Sequence, residues 1–195
     1  MNQSASALLL LIILLAGAGC TGSSGDSPVI IPVQFRELSD IGLTKDEVPL
    51  PGLAFMTEMT PITANSEFLA FYGAKRAFTR QFSGGEIGGP GYLQLSQTIV
   101  EYPPGNATKA FARLKRSAAI AAPDTKPPVL WPDPKIGDES VGVSLPGQAT
   151  WTRGGSTAII VFRKSDIVEM IMLESSSPDN NRLAQAARNA AAKVP

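Results

Sequence analysis

The sequence predicts an α+β domain in which a mainly antiparallel sheet packs with two helices. Several segments alternate apolar and polar residues, or form short β-branched runs, and end at turns rich in Gly, Pro or Ser, which is typical of strands. Two longer segments repeat apolar residues at intervals of three and four, which is typical of amphipathic helices. Because each helix follows a group of strands, the order favours an antiparallel sheet over parallel βαβ units.

In the first half of the domain, the pattern predicts short strands and one helical turn. Thr44 and Glu47 have the spacing of a capping box, but Pro49 ends the helix at once. The stretch Phe68–Phe82 fits a strand and also one side of a helix, and its aromatic residues favour a strand from Phe71 to Phe82. The other predicted segments are an edge strand or extended lead-in at Val29–Phe35, a short strand at Ala54–Met59, a hairpin loop at Ser83–Gly91 and a strand at Tyr92–Tyr102.

The second half is predicted to contain both helices and the central strand. Asn106 caps a helix over residues 107–121, and Ser177 caps the C-terminal helix. Ile167–Glu174 is apolar on both faces apart from Glu169, which predicts a central strand that is covered on both sides. The other predicted segments are a proline-rich crossing at Ala122–Pro134, a turn entering a strand over Lys135–Leu145, strands at Ala149–Thr152 and Thr157–Phe162, and four-residue turns at Arg153–Ser156 and Arg163–Asp166.

The N-terminal run Leu8–Cys20 is the longest apolar stretch and ends in the single cysteine. It is too short for a helix that spans a bilayer, which needs about 20 apolar residues. It has the length of the apolar region of an export signal, about 7–15 residues. We therefore predict a signal peptide over residues 1–19, a Gly/Ser tether over 20–28 and the folded domain over 29–195. An uncleaved anchor helix is the alternative.

The residues around Cys20, AGAGC followed by TGSSG, resemble the lipobox of prokaryotic lipoproteins, and the wording A-G-C-T-G is similar to archaeal secreted lipoproteins. Gly17 occupies a position that is usually leucine in the bacterial motif, and no Lys or Arg precedes Cys20. The resemblance implies that the Cys20 thiol carries a diacylglyceryl-type lipid. It also implies that the chain is held at the outer face of the cytoplasmic membrane without spanning it.

The second half resembles small extracytoplasmic lipoprotein domains of the PsbP/Mog1-like or LpqN-like kind. The resemblance covers roughly residues 90–193 and rests on the order TIVEY, helix, IGDES, IIVFRKSDIVEMIM, helix. These groups are mostly accessory proteins or proteins of unknown activity. The resemblance therefore implies an accessory domain and assigns no catalytic residue, since a fold alone does not give a function.

The composition excludes several classes of function. The 17 basic and 17 acidic residues balance, so the chain lacks the positive charge on which nucleic-acid binding depends. The absence of histidine removes the Ser-His-Asp triad, the Cys-His pair and HExxH zinc chemistry. We therefore predict no enzyme activity, no catalytic residue, no cofactor and no metal.

Three local patterns have competing interpretations. Asp138-Glu139 offers carboxylates for a hard cation, but a turn in which Asp138 bonds local backbone is favoured, because neighbours on a strand point to opposite faces. Asn106-Ala107-Thr108 is a glycosylation sequon, but a helix cap is favoured. The basic residues Arg153, Arg163 and Lys164 are predicted to be solvated charges in turns.

Trp131, in the proline-rich crossing, is the residue singled out for a possible partner contact, since tryptophan is common at interface hot spots. A loop pinned to the core by one aromatic ring is the favoured alternative. The leading hypothesis is a lipid-anchored accessory domain that holds a protein partner, which would be a membrane protein, at the membrane surface. The alternative is an extracytoplasmic domain that binds a metabolite or lipid between sheet and helix. A hydrolase that uses carboxylates alone ranks last.

Overall fold

The computed structural model of the chain describes residues 37–53, 55–62, 73–120, 127–131, 133–149 and 154–195. The predicted signal peptide, Cys20, the tether and the lead-in Val29–Phe35 lie outside the described residues. The domain limits that the sequence predicts for this part of the chain therefore stay predictions.

A seven-stranded sheet forms the centre of the domain, with the strand order β1-β2-β3-β7-β6-β5-β4. Every pair of neighbouring strands is antiparallel, which confirms the predicted fold class. The strands are β1 (Phe55–Ile62), β2 (Arg76–Gly84), β3 (Leu93–Glu101), β4 (Val129–Leu130), β5 (Glu139–Leu145), β6 (Ser156–Lys164) and β7 (Ile167–Ser175).

The described helices lie on both faces of this sheet. They are α1 (Leu38–Ile41), a 3₁₀ turn (Lys45–Glu47), α2 (Asn106–Ile120) and α3 (Asn180–Lys193). Both α2 and α3 pack against β6 and β7. They do so from opposite sides, because they contact alternate side chains of the same strands. The two predicted helices are present, whereas the single turn α1 is too short to produce a periodic pattern.

Strand β7 lies at the centre of the sheet, between β3 and β6, as its two apolar faces predict. Ile171 and Leu173 belong to the core beneath α3, while Val168 belongs to the core beneath α2. Glu169 is fully buried on the α3 side. Burial of both faces explains why this strand has no regular polar alternation.

Several boundaries differ from the predicted ones. β2 begins at Arg76 and ends at Gly84, and residues 71 and 72 lie outside the described residues. Ala149 is not in a strand, and the rest of the predicted strand Ala149–Thr152 lies outside the described residues, so β5 is the strand that pairs with β6. Strand β4 was not predicted. It is only two residues long and is preceded by Pro127-Pro128, which conceals any alternation.

The helix starts and one turn also need correction. The capping box of Thr44 and Glu47 is confirmed. The cap of α3, however, is Asp179 and not Ser177, because the Asp179 carboxylate accepts hydrogen bonds from two free backbone N–H groups of the first turn. Asn106 is the first residue of α2 and not its cap. The predicted turn Arg163–Asp166 is a two-residue turn, since Lys164 already pairs with Ile167.

Candidate functional site

Trp131 directly follows β4 and holds this edge of the sheet in place. Its backbone N–H donates to the carbonyl of Gly142 at 3.0 Å, and its indole Nε1 donates to Ser144 Oγ at 2.7 Å. The ring lies against Gly142, where an added Cβ would collide with it. The side chain is half-buried and packs against the core beneath α3. Trp131 is therefore an anchor for β4, and most of its ring faces the protein.

The exposed apolar side chains at this edge are the two residues before Trp131. Val129 and Leu130 are 54% and 52% exposed. Among the described residues, the other large apolar side chain with comparable exposure is Ile87, at 68%, in the loop after β2. Trp131 is conspicuous in the sequence because of its residue type, whereas no periodic pattern distinguishes Val129 or Leu130.

The acidic pair Asp138-Glu139 converges on one guanidinium group. Arg163 Nη1 donates to Asp138 Oδ2 at 2.9 Å, and Arg163 Nε donates to Glu139 Oε1 at 3.0 Å. Asp138 Oδ2 also accepts from the backbone N–H of Ser165. The expectation that the two carboxylates point apart was wrong, because Asp138 precedes the strand and can turn towards Arg163. Arg163 and Lys164 both lie in β6 and are not solvated turn charges, and Arg153 lies outside the described residues.

A surface cavity of about 290 Å³ lies beside this ion pair, between the loop before β5 and the end of α3. Its charged lining residues are Lys135, Asp138, Lys164 and Arg188. The ammonium group of Lys164 donates to the carbonyls of Ala191 and Val194, so its charge is opposed by the C-terminus of α3. Three basic residues line the cavity against the single acidic residue Asp138, and the charges of Arg163 and Glu139 beside it cancel, so the surface of the cavity has a local excess of positive charge.

A polar cluster is buried on the same face of the sheet as α3, between the sheet and residues 38–53. Gln97 Nε2 donates to Glu169 Oε2 at 2.7 Å, and Gln97 Oε1 accepts from the backbone N–H of Leu43 at 2.7 Å. Arg80 Nη1 donates to the carbonyl of Leu43 at 2.6 Å, and its guanidinium lies 5.1 Å from the ring centre of Phe78. These polar side chains therefore bind backbone groups that the sheet itself cannot satisfy.

Glu169 is the group in this cluster whose protonation is most perturbed. Burial raises the pKa of its carboxyl from 4.5 to about 8, and the hydrogen bond from Gln97 and the charge of Lys193 oppose this rise only in part. Glu169 Oε1 is buried and has no hydrogen-bond partner among the described residues. The side chain is therefore mostly protonated at pH 7. The sequence marked Glu169 as the polar exception in an apolar strand, but it gave no signal for its partners.

The structure does not test the predictions for Cys20 and for glycosylation of Asn106. Cys20 lies outside the described residues, and Asn106 is partly buried at the start of α2, so its glycosylation stays a prediction. Within the described ranges, no group of three or more acidic, His or Cys side chains could hold a metal ion. None of the described helices is long and apolar enough to cross a membrane.

No protein-family model matches this chain, and no curated protein matches it. Among solved structures, it is similar to the extracellular domain of PknH from Mycobacterium tuberculosis, with a TM-score of 0.55 and 15% sequence identity. The similarity covers 80% of this chain and 93% of the other. At this identity the comparison shows a shared fold.

Proposed function

We propose that this chain is a lipid-anchored extracytoplasmic domain without catalytic activity, and that it holds a protein partner at the outer face of the cytoplasmic membrane. The anchoring rests on the apolar run Leu8–Cys20 and on the Gly/Ser tether that follows it. The fold shared with an extracellular domain is consistent with this location. The folded domain is then tethered to the membrane through the N-terminal part of the chain.

The observation that carries partner binding is the exposure of Val129 and Leu130 together on one anchored strand. Val129 and Leu130 are consecutive in β4, so their side chains project from opposite faces of this edge strand. Side chains that are already held on rigid backbone lose little conformational entropy when they are covered. The hydrogen bonds of Trp131 to Gly142 and Ser144 supply this rigidity. The edge strand therefore suits an apolar pocket on another protein that receives both of its faces.

The same edge disfavours a partner that adds a further strand. The backbone N–H of Trp131 points towards β5, so within β4 only Leu130 turns its backbone groups to the open side. Pro128 and Pro132 flank the segment and have no N–H to donate. Proline is a common device that protects an edge strand from pairing. We therefore assign recognition to the side chains of Val129 and Leu130.

The test is native mass spectrometry of the full chain after extraction from its native membrane in mild detergent. We expect the wild-type chain in an assembly with one protein partner of defined mass. The double variant Val129→Ser, Leu130→Ser should be recovered alone, because polar side chains would no longer fill an apolar pocket. Unfolding curves of both proteins check that the fold is retained.

Ile87→Ser is the matched control, because Ile87 is even more exposed but lies in the β2–β3 loop. This variant should keep the partner. Recovery of the wild type as a lone chain contradicts partner binding, and an assembly that survives the double variant contradicts the assignment to β4.

Small-ligand binding is the second candidate, and the cavity beside α3 is the observation that favours it. Its volume of about 290 Å³ is close to the lower limit of ligand pockets, roughly 300 Å³. Lys135 and Arg188 suit an anionic ligand, although the cavity lies at a helix end and not between sheet and helix. Titration of the full chain with inorganic phosphate and with acetate tests this candidate. Binding that is lost in Lys135→Gln supports it, and no binding at millimolar concentration contradicts it.

A further inference from the structure

Residues 38–53 form a segment, here called the strap, that lies across the α3 side of the sheet before the first strand. Its apolar side chains are buried against the sheet and α3, with at most 7% exposure; they are Leu38, Ile41, Leu43, Val48 and Leu53. The strap forms no strand of the sheet. Its docking therefore depends on side-chain contacts, which can be released without breaking the strand ladder.

Polar side chains hold the strap by its backbone. Both backbone polar groups of Leu43 are hydrogen-bonded to side chains of the sheet. Its N–H donates to Gln97 Oε1, and its carbonyl accepts from Arg80 Nη1. The ammonium group of Lys193 donates to the carbonyl of Gly42 at 2.7 Å and to Glu47 Oε2 at 2.9 Å. These hydrogen bonds join the strap to β2, β3 and α3 at one place.

Gln97 connects this place to Glu169. Its amide nitrogen donates to Glu169 and its amide oxygen faces the strap, so the orientation of one amide group serves both contacts. Leu43, which has no measurable exposure, covers this amide. Water can reach the buried carboxyl of Glu169 only if neighbouring groups move. Among the described residues, the strap forms no backbone–backbone hydrogen bond with the sheet or with α3, and side chains such as Gln97, Arg80 and Asn189 hold it in place.

We propose that the strap is a releasable segment and that the protonated carboxyl of Glu169 keeps it docked. Loss of the proton places a negative charge in a site where one carboxylate oxygen has no partner. A buried charge of this kind is strongly destabilising unless it is paired or hydrated. Release of the strap hydrates the charge while the sheet remains paired.

The charged groups on the surrounding elements do not provide a partner that replaces water. Lys193 on α3 is the cation that acts on Glu169, but it is bound to the strap through Gly42 and Glu47. Arg80 on β2 is bound to Leu43. Lys164 on β6 caps the end of α3, and Glu101 on β3 is paired with Arg76. The ionised carboxylate therefore depends on opening of the strap.

The direction of the pH dependence follows from the two protonation equilibria. The pKa of Glu169 is about 8 when the strap is docked, and it returns towards the ordinary value of 4.5 when the carboxyl is hydrated. The docked state thus holds its proton between these values, and the open state does not. Opening is least favourable below pH 4.5, increases by at most about tenfold per pH unit up to pH 8, and then levels off.

Hydrogen exchange of the full chain in mild detergent tests the proposal, with each rate divided by the intrinsic rate at the same pH. Between pH 6 and pH 9, we expect opening at strap amides, above all Leu43, to increase at least tenfold in the wild type. Glu169→Gln, which cannot ionise, should show no such increase. Glu86→Gln, a change to an exposed carboxylate in the β2–β3 loop, should behave as the wild type.

Three outcomes would overturn the proposal. One is the same pH profile in the wild type and in Glu169→Gln. Another is parallel opening of β7 and α3, which would mean that Glu169 controls the whole domain and not the strap. If Glu169→Gln does not fold, the carboxyl carbon of Glu169 can be titrated by NMR in the wild type. A midpoint near 8 that coincides with loss of Leu43 protection supports the proposal, and a midpoint below about 6 rejects it.

Discussion

At the scale of single residues, close packing of the Trp131 ring explains why residue 142 is a glycine. Gly142 lies inside β5 between two buried valines, where glycine normally weakens a strand. The indole ring of Trp131 occupies the space that a side chain at this position would need. Gly142 is therefore required for the packing of Trp131 on the edge of the sheet.

We expect Gly142→Ala to lower the free energy of unfolding by about 1–3 kcal/mol, since the added methyl group displaces the indole ring. Chemical denaturation of the purified chain, followed by circular dichroism, measures the change. Gly91→Ala is the matched control, because nothing lies near its added Cβ. The control should change the free energy by no more than about 0.5 kcal/mol. Equal effects in both variants would contradict the assigned packing of Trp131.

For Glu169, the sequence predicts one part of the observed environment and the structure supplies the rest. The sequence shows one acidic residue in an apolar strand, and the structure shows that this residue is fully buried. Its partner Gln97 is separated from it by 72 residues and has no distinguishing pattern. A buried carboxyl could thus be predicted, whereas its hydrogen bond depends on the register of β3 and β7.

At the scale of elements, the start of α3 shows how capping is decided. Ser177, Pro178 and Asp179 all suit the beginning of a helix, and residue type alone does not rank them. In the structure, Asp179 accepts hydrogen bonds from the backbone N–H groups of Asn181 and Arg182. The Asp179 carboxylate thus accepts two hydrogen bonds from the first turn, and its negative charge interacts favourably with the helix dipole.

Asp179→Ala is therefore expected to lower the free energy of unfolding by about 1 kcal/mol, as is typical for the loss of an N-cap. Thermal or chemical denaturation measures this value. Ser177→Ala should have an effect close to zero, since Asp179 and not Ser177 caps the helix. A larger loss in Ser177→Ala than in Asp179→Ala would show that the helix begins where the sequence alone placed it.

The long elements could be predicted because each buries a regular face. The apolar residues of α3 predicted from the sequence, such as Leu183 and Ala187, are buried, and β3, β6 and β7 lie close to their predicted ranges. Short elements were missed or displaced. α1 and β4 are stabilised by contacts distant in sequence, such as the packing of Leu38 near Val194, and local patterns carry no record of such contacts.

At the scale of the whole molecule, the strap begins at the end of the sheet where β7 starts and α3 ends. Leu38 and Ile41 pack with Ile167 at the start of β7 and with Val194 after α3. The loop that contains Ile87 joins β2 to β3 at the opposite end of those strands. The chain from Cys20 to Glu37 can span at most about 60 Å when fully extended. A lipid on Cys20 would thus keep Glu37, the residue just before the strap, within about 60 Å of the membrane.

The measurement that tests the central claim most directly is the intact mass of the chain after gentle extraction from its native membrane. The proposed function predicts a mass that corresponds to a chain beginning at Cys20 plus a diacylglyceryl-type lipid, and a Cys20→Ser variant that lacks this lipid. A chain that still begins at Met1, or a mature chain without lipid on Cys20, would contradict the anchored domain.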